Sequence, residues 1–170
     1  MFQVPRAPAR GCLQLDNFQA LEYETGIPPK HFPGASRRRC PVTIRIVRLG
    51  APRAKDEGLR IGTVRRPPRG VPKTEFATRD WYDVWFPNLA PSVETMKLGQ
   101  RAATTAQWAA FSRKYRAEMK TPEASHAVEL LARLSRQTSF SVGCYCEDES
   151  HCHRSVLREL LMEHGARIER

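Results

Sequence analysis

Alternation of hydrophobic and polar positions marks the first strand of this chain. In residues 42–49, VTIRIVRL, the side chains of Val42, Ile44 and Ile46 fall on one side of an extended backbone, and the segment is rich in β-branched residues. Similar composition predicts further strands at residues 59–64 and 138–145. Residues 82–86 are a third strand or a buried extended segment.

Helical spacing replaces this alternation in the second half of the chain. Ser92 is a suitable N-cap for a short helix. A longer helix is predicted over about residues 104–120, because four large side chains recur at offsets of 3, 7 and 11. We expect this stripe to pack in the core; it consists of Trp108, Phe111, Tyr115 and Met119.

Two more helices are expected, one on each side of the last strand. The sequence Thr121-Pro122-Glu123 is typical of a helix start. The predicted buried face of that helix consists of Ala127, Leu130, Leu131 and Leu134. The last helix is expected over about residues 152–164, and Gly165 ends it. Strands that alternate with helices indicate an α/β domain with a mostly parallel sheet and flanking helices.

The first 41 residues lack any such pattern. They contain six prolines and the run Arg37-Arg38-Arg39, with no sustained hydrophobic period. We expect residues 1–41 to form a basic, proline-rich and partly disordered arm, and residues 42–170 to form one α/β domain.

Positive charge is concentrated in the first half of the chain. The 170 residues have a net charge of +10. Residues 1–79 contain 16 basic and 6 acidic side chains, whereas residues 80–170 contain 12 of each. This distribution favours an anionic partner, which is either a small molecule or a nucleic acid.

Composition also excludes several classes of protein. No segment approaches the roughly 18 consecutive apolar residues of a membrane helix, and the N-terminus lacks the apolar block of a secretory signal. An organelle transit peptide is the lesser alternative. Three of the five cysteines fall within nine residues, which is a poor disulfide framework. We therefore expect reduced thiols and a cytoplasmic protein.

The sequence GCYCEDESHCHRS, residues 143–155, is the strongest candidate site. It lies between a predicted strand and helix, where α/β folds bind their ligands. Cys152 falls at the helix start, where the helix dipole stabilises a thiolate, so it is the first candidate nucleophile and Cys146 the second. His153 is a candidate proton carrier, and Arg154 or the helix amides would hold an anion.

Two other interpretations of this segment stay open. Cys144, Cys146 and Cys152, together with His151 or His153, have the ligand types of a zinc site. Alternatively, Cys144 is a small buried residue at a strand end, and the histidines only decorate the helix.

A second candidate site is VRRPPRG, residues 64–70. Arginine side chains suit phosphate or carboxylate, and the two prolines stiffen the loop, so Arg65 and Arg69 are candidate anion-binding residues. In residues 80–92, Trp81 and Trp85 are expected in the core, with an aromatic wall for a base or sugar as the alternative.

Four segments together resemble the domain-of-unknown-function family 488, which includes the YeaO-like proteins. The segments are GLRIGTVRRPPRG, YDVWFPNLAPS, the aromatic stripe with Glu118, and CYCEDESHCHR, and they occur in the family's order. Val64 stands where YeaO-like members often have an acid. The positions that look like family signatures are Arg65, Pro68, Arg69, Gly70, Leu89, Ala90, Pro91, Ser92, Cys152, His153 and Arg154. The resemblance implies a small Rossmann-like α/β fold and brings no established reaction.

The sequence thus predicts a protein that binds an anionic small molecule, either nucleotide-like or phosphorylated. In this interpretation it is a thiol-dependent enzyme whose anion site combines Arg65, Arg69 and Arg154. The alternatives are a nucleic-acid-binding protein that uses the basic N-terminal half, and a zinc-binding domain. The cofactor and the oligomeric state stay open.

Overall fold

A computed structural model of the chain describes residues 42–169. The strands are β1 (Ile44–Arg48), β2 (Leu59–Gly62), β3 (Val84–Trp85) and β4 (Phe140–Cys144). The helices are α1 (Val93–Arg101), α2 (Thr105–Glu118), α3 (Pro122–Leu134) and α4 (His153–Glu163). The predicted arm, residues 1–41, lies outside the described residues, as does most of the basic segment on which the nucleic-acid alternative depends. None of the helices within residues 42–169 is long and apolar enough to cross a membrane.

The four strands form one parallel sheet in the order β1–β4–β2–β3. The last strand is therefore inserted between the first two, with Cys144 opposite Arg48 of β1 and Gly143 opposite Gly62 of β2. The predicted α/β fold with a mostly parallel sheet is confirmed, and within the described residues every strand pair is parallel. The carboxyl ends of β1, β4 and β2 consequently meet at one edge of the sheet.

One face of the sheet packs against the helices. Strand residues Ile44, Ile61, Phe140 and Val142 share a buried hydrophobic cluster with side chains of α2, α3 and α4. The predicted stripe on α2 belongs to this cluster, with Trp108 partly buried at its end.

The predicted buried face of α3 is wrong at two positions, since Leu130 is 59 % and Leu134 37 % exposed. Its buried stripe consists of Ala124, Ala127, Val128, Leu131 and Ala132. Successive residues of a helix differ by about 100° in direction, so Leu130 points well away from this stripe.

Two glycines let loop side chains approach the sheet closely. A Cβ atom on Gly62 would lie 2.5 Å from the ring of Tyr82, and one on Gly143 would lie 2.5 Å from Leu49 Cδ2. Tyr82 and Leu49 belong to a second buried cluster, which also contains Cys144 and Cys152. Small residues in β2 and β4 thus permit the packing on which the candidate site rests.

A buried ion pair connects β2 with the segments around it. Arg60 is 1 % and Glu57 3 % exposed, and Arg60 Nη2 donates to Glu57 Oε2 at 2.8 Å. The same guanidinium donates to the carbonyl oxygens of Ala51 and Asp80, at 2.7 and 2.6 Å. Ser141 Oγ in β4 donates to the other oxygen of Glu57 at 2.6 Å. The network therefore links the β1–β2 loop, β2, β4 and the segment before β3.

The carboxylate of this network has a pKa below its ordinary 4.5. Burial alone would raise the pKa of Glu57, but the hydrogen bonds from Arg60 and Ser141 outweigh it. Because the pKa is lower in the folded chain than in the unfolded one, the network's contribution to stability is fully present above the unfolded pKa. It is lost as the pH falls through the folded pKa.

Glu57→Gln is expected to lower the free energy of unfolding at neutral pH by about 3–5 kcal/mol, because it leaves the buried Arg60 guanidinium without its counter-charge. Urea denaturation measures this loss, and the difference from wild type should shrink as the pH falls through the folded pKa of Glu57. Asp56→Asn is the matched control, since it removes an exposed partner of Arg45 and should change stability little. Equal effects of the two substitutions would contradict the assigned role of the pair.

Candidate functional site

Three cysteine side chains converge at the carboxyl edge of the sheet. Cys144 is the last residue of β4, Cys152 is the N-cap of α4, and Cys146 lies in the loop between them. The three Sγ atoms all lie within 4.8 Å of one another. Cys144 Sγ and Cys146 Sγ are 3.7 Å apart, in keeping with the two-residue spacing at a strand end. The chain thus forms a compact three-thiol cluster.

The three thiols differ in their access to solvent. Cys146 is exposed, whereas Cys144 and Cys152 are buried, and only 2 % of Cys152 is accessible. The candidate nucleophile that the sequence favoured is therefore the less accessible of the two named. Cys146 is the thiol that an incoming molecule reaches first.

Arg154 places a buried positive charge against this cluster. The residue is 2 % exposed; its Nε donates to Cys152 Sγ at 3.4 Å, and its Nη2 donates to the carbonyl oxygen of Cys146 at 2.7 Å. Among the described residues no carboxylate forms a salt bridge with Arg154. A buried guanidinium needs a counter-charge, and the neighbouring sulfur atoms are the groups that can supply it as thiolates.

The proton inventory of the cluster follows from its hydrogen bonds. The pKa of Cys146 is lowered, first by the hydrogen bond that Cys144 donates, then by Cys152 and the positive charge of Arg154. The pKa of Cys144 is raised, because its deprotonation would break these hydrogen bonds and add a second negative charge to a buried site. The pKa of Cys152 is lowered, first by the hydrogen bond from Cys144 and then by its contact with His153, while the neighbouring Cys146 and burial raise it. These directions favour negative charge on Cys146 first, while Cys144 keeps its proton.

His153 has one ring nitrogen fixed by the backbone. Its Nε2 lies 2.8 Å from the carbonyl oxygen of Thr63, which can only accept, so Nε2 is the nitrogen that donates. In the neutral ring Nδ1 then has a free lone pair, and it lies 3.7 Å from Cys152 Sγ. His153 is buried, and the ring of Tyr115 packs edge-on against it at 5.7 Å. The neighbouring strand β2 thus sets the tautomer of this histidine.

A cavity of about 290 Å³ opens beside the thiols. All three cysteines and His153 line it. Its opposite walls come from α1 and α2, through Met96, Gly99 and Phe111, and from Pro91. The cavity has room for part of an organic molecule, and its walls on the helix side are largely apolar.

Glu118 fixes the helix that forms one of these walls. Its carboxylate accepts hydrogen bonds from the Ser92 N–H at 2.9 Å and from Ser92 Oγ and Thr95 Oγ1 at 2.6 Å each. Burial would raise the pKa of Glu118, but these hydrogen bonds lower it. Ser92 is the N-cap of α1, as predicted, and Glu118 ties that cap to α2.

The three predicted anion-binding arginines do not converge. Arg65 lines the cavity, but its Nε donates to the carbonyl oxygen of Pro91 at 3.1 Å and its Nη2 to that of Ala90 at 2.7 Å. Arg154 faces the thiols, as described above. Arg69 lines a different, more open cavity. Each guanidinium thus has a separate set of neighbours, and the anion-binding role of Arg65, Arg69 and Arg154 stays a prediction.

The second cavity combines arginine and aromatic side chains. Its volume is about 380 Å³, and it is lined by Arg48, Arg66, Arg69, Trp81 and Tyr145, together with Leu49, Pro67 and Pro68. Trp81 and Tyr145 meet edge to face, with ring centroids 5.5 Å apart. Arg66 and Tyr145 line both cavities, so the two are adjacent.

Sequence reasoning missed the part that Arg48 and Arg66 play in this second cavity. Arg66 follows Arg65 in the same loop and lines both cavities. Arg48 ends β1, where its exposed side chain also pairs with Glu147 at 3.0 Å. Its position depends on the insertion of β4 beside β1, which the sequence does not reveal.

The zinc interpretation receives partial support from the cluster. The three thiols lie close enough to hold a metal ion. Neither predicted histidine ligand, His151 or His153, belongs to this group of ligand atoms. The Nδ1 atom of His151 lies 2.9 Å from Asp148 Oδ2, and this contact lowers the pKa of Asp148 to about 2. The guanidinium of Arg154, which donates to Cys152 Sγ, is a second group that would stabilise a thiolate at this cluster.

These features define a small Rossmann-like α/β domain with a thiol cluster at the carboxyl edge of its sheet. The chain belongs to the DUF488 family: the family model described as "Active DUF488-N3 subclade" matches residues 44–165, which include all the described strands and helices. The resemblance seen in the sequence is thereby confirmed. Comparisons with curated proteins and with solved structures found no match.

Proposed function

We propose that this protein is a thiol-dependent enzyme that acts on an anionic small molecule, with Cys146 as the nucleophile. The observation that carries the proposal is the convergence of three thiols and a buried guanidinium on an open cavity. Structural cysteines are ordinarily buried and inert, whereas reactive ones lie in electropositive, partly exposed surroundings. Cys146 meets both conditions, being exposed and adjacent to Arg154.

Arg154 has the role of holding Cys146 as a thiolate. A thiolate is the reactive form of cysteine, and a positive charge in a poorly solvated site stabilises it more than water would. The guanidinium also fixes the loop itself, because it binds the carbonyl oxygen of Cys146. One side chain thus positions the nucleophile and maintains its charge.

His153 is the proposed proton carrier. Its Nδ1 lone pair faces Cys152 Sγ at 3.7 Å, while Nε2 is held by Thr63. A histidine that is oriented by one hydrogen bond can accept a proton at its other nitrogen and return it later. The proton of Cys152 can therefore pass to His153 and back within the buried part of the cluster.

The anionic group of the substrate is assigned to the second cavity. Arg66 and Arg69 make no salt bridge among the described residues, and Arg66 borders the thiol cavity as well. Arginines of this kind bind phosphate through paired hydrogen bonds. Trp81 and Tyr145 offer aromatic surface beside them, which suits a nucleotide-like molecule with a phosphate.

Alkylation of Cys146 is expected to be nearly independent of pH between about 6 and 8, because its lowered pKa keeps it a thiolate throughout that interval. Arg154→Met should raise the pKa of Cys146 and move the onset of rapid alkylation by iodoacetamide to higher pH, with roughly tenfold slower reaction for each unit by which the pKa exceeds the pH. Peptide mass spectrometry of the full chain identifies the modified cysteine. Arg158→Met is the control, since Arg158 also lies on α4 but pairs with Glu149.

A wild-type Cys146 whose alkylation rate rises steeply only above about pH 8 would remove it as the nucleophile. Elemental analysis of the purified chain supplies a second test. One zinc ion per chain, lost together with the fold on chelation, would assign the three thiols to metal binding instead.

Adenosine monophosphate is expected to bind with its phosphate at Arg66 and Arg69 and to quench tryptophan fluorescence. Substitution of Arg69 by Gln should weaken this binding by about tenfold, since one charge-assisted hydrogen bond is lost at a partly exposed site. Titration calorimetry measures the affinity, with Arg113→Gln on α2 as the control. Equal affinity for adenosine and its monophosphate would contradict the assignment.

A further inference from the structure

Two buried thiols accompany the exposed nucleophile, and nucleophilic attack alone does not require them. Cys144 and Cys152 both lie within 4.8 Å of Cys146 at their sulfur atoms. A single activated thiolate suffices for attack on a carbon or phosphorus centre. The neighbouring thiols therefore point to a second chemical step.

The nature of that step depends on the atom through which a substrate is attached to Cys146. When an alkyl or acyl group is attached through carbon, a neighbouring thiol can at most take over the group, and the enzyme stays modified. When the group is attached through sulfur, a neighbouring thiolate can attack the Cys146 sulfur, form a protein disulfide and release the group as a thiol. A neighbouring thiol can therefore release the group from the enzyme only when the group is attached to Cys146 through sulfur.

We propose that the enzyme carries out thiol–disulfide exchange on small organic disulfides, with Cys146 as the attacking thiol and Cys152 as the resolving thiol. This inference rests on the proposed function, because it takes Cys146 as the nucleophile of the same site. It adds the class of substrate and the role of the second cysteine.

Cys152 is better placed than Cys144 to resolve the intermediate. The Nδ1 atom of His153 lies 3.7 Å from Cys152 Sγ and can accept its proton, and Arg154 Nε donates to the same sulfur at 3.4 Å. Cys144 instead donates its proton within the cluster, at 3.7 Å from Cys146. The base and the positive charge therefore both favour Cys152 as the second thiolate.

The reaction balances in two displacements. In the first, the Cys146 thiolate attacks one sulfur of R–S–S–R, the S–S bond breaks, and one R–S⁻ leaves. In the second, His153 takes the proton of Cys152, whose thiolate attacks the Cys146 sulfur and displaces the second R–S⁻. The substrate gains two electrons, and the protein ends with a Cys146–Cys152 disulfide. An external dithiol supplies two electrons and restores the thiols.

The cavity favours an organic disulfide over a small inorganic oxidant. Its walls include Pro91, Met96 and Phe111, which can pack against the carbon skeleton of a substrate. Arg66 at its border suits a carboxylate or phosphate on the same molecule. Oxidised glutathione combines a disulfide with carboxylates and is a suitable probe.

Oxidised glutathione is to be added to the full chain in which Cys12 and Cys40 are replaced by serine. We expect two equivalents of glutathione to be released per chain, together with a Cys146–Cys152 disulfide found by peptide mass spectrometry. Cys152→Ser should release one equivalent and keep a glutathione on Cys146. Cys144→Ser should still release two equivalents, but more slowly, because it alters the hydrogen bond to Cys146 and leaves both reacting thiols in place. Cys146→Ser should release none.

Different failures of this experiment separate the two proposals. If Cys146 is alkylated rapidly by iodoacetamide but does not react with oxidised glutathione, the nucleophile stands and thiol–disulfide exchange is wrong. Release of two equivalents by Cys152→Ser, with a Cys144–Cys146 disulfide, would overturn Cys152 as the resolving thiol. Faster oxidation by hydrogen peroxide than by oxidised glutathione would overturn the organic disulfide as the substrate class. Circular dichroism establishes that each variant is folded.

Discussion

The buried guanidinium of Arg154 is the constraint on which the candidate site depends. A charge in that position is unfavourable unless an opposite charge lies beside it, and within residues 42–169 no carboxylate does. The sulfur atom of Cys152 lies beside it instead, and the same guanidinium binds the carbonyl oxygen of Cys146. Without Arg154, the sulfur of Cys152 would lose its guanidinium donor, and Cys146 would lose one of the causes of its lowered pKa, after the larger contributions of Cys144 and Cys152. With it, the folded chain is most stable when the cluster carries negative charge.

The same fold buries a second arginine in a different way, and the contrast explains how stability and reactivity are separated. Arg60 is neutralised by the carboxylate of Glu57, whose lowered pKa keeps it charged and chemically inert. Arg154 has no carboxylate partner within residues 42–169 and donates to the sulfur of Cys152, a group that is a strong nucleophile when it is deprotonated. Both arginines are buried, so the difference between them lies in the partner. A carboxylate partner stabilises the fold, whereas a thiol partner can also react.

Much of the fold was predictable from local patterns. Hydrophobic periodicity located the strands and helices, and the sequence Cys-His-Arg correctly placed Cys152 at the start of the last helix. The partners of the arginines were not predictable, because they come from distant segments. Arg65 binds the carbonyl oxygens of Ala90 and Pro91, and these lie 25 and 26 residues further along the chain. The exposure of Leu130 was not predictable for a related reason. More than one face of α3 carries apolar residues, and packing against the sheet decides which face is buried.

The strand order also determines how His153 is oriented beside the thiol cluster. Because β4 lies directly beside β2, the residue that follows β2, Thr63, comes within hydrogen-bond distance of the helix start that follows β4. The carbonyl oxygen of Thr63 then fixes the proton of His153 on Nε2 and leaves Nδ1 facing Cys152. If β4 paired at the edge of the sheet, this carbonyl would be out of reach and the ring could adopt either tautomer. Insertion of the last strand between the first two is thus what orients the base of the site.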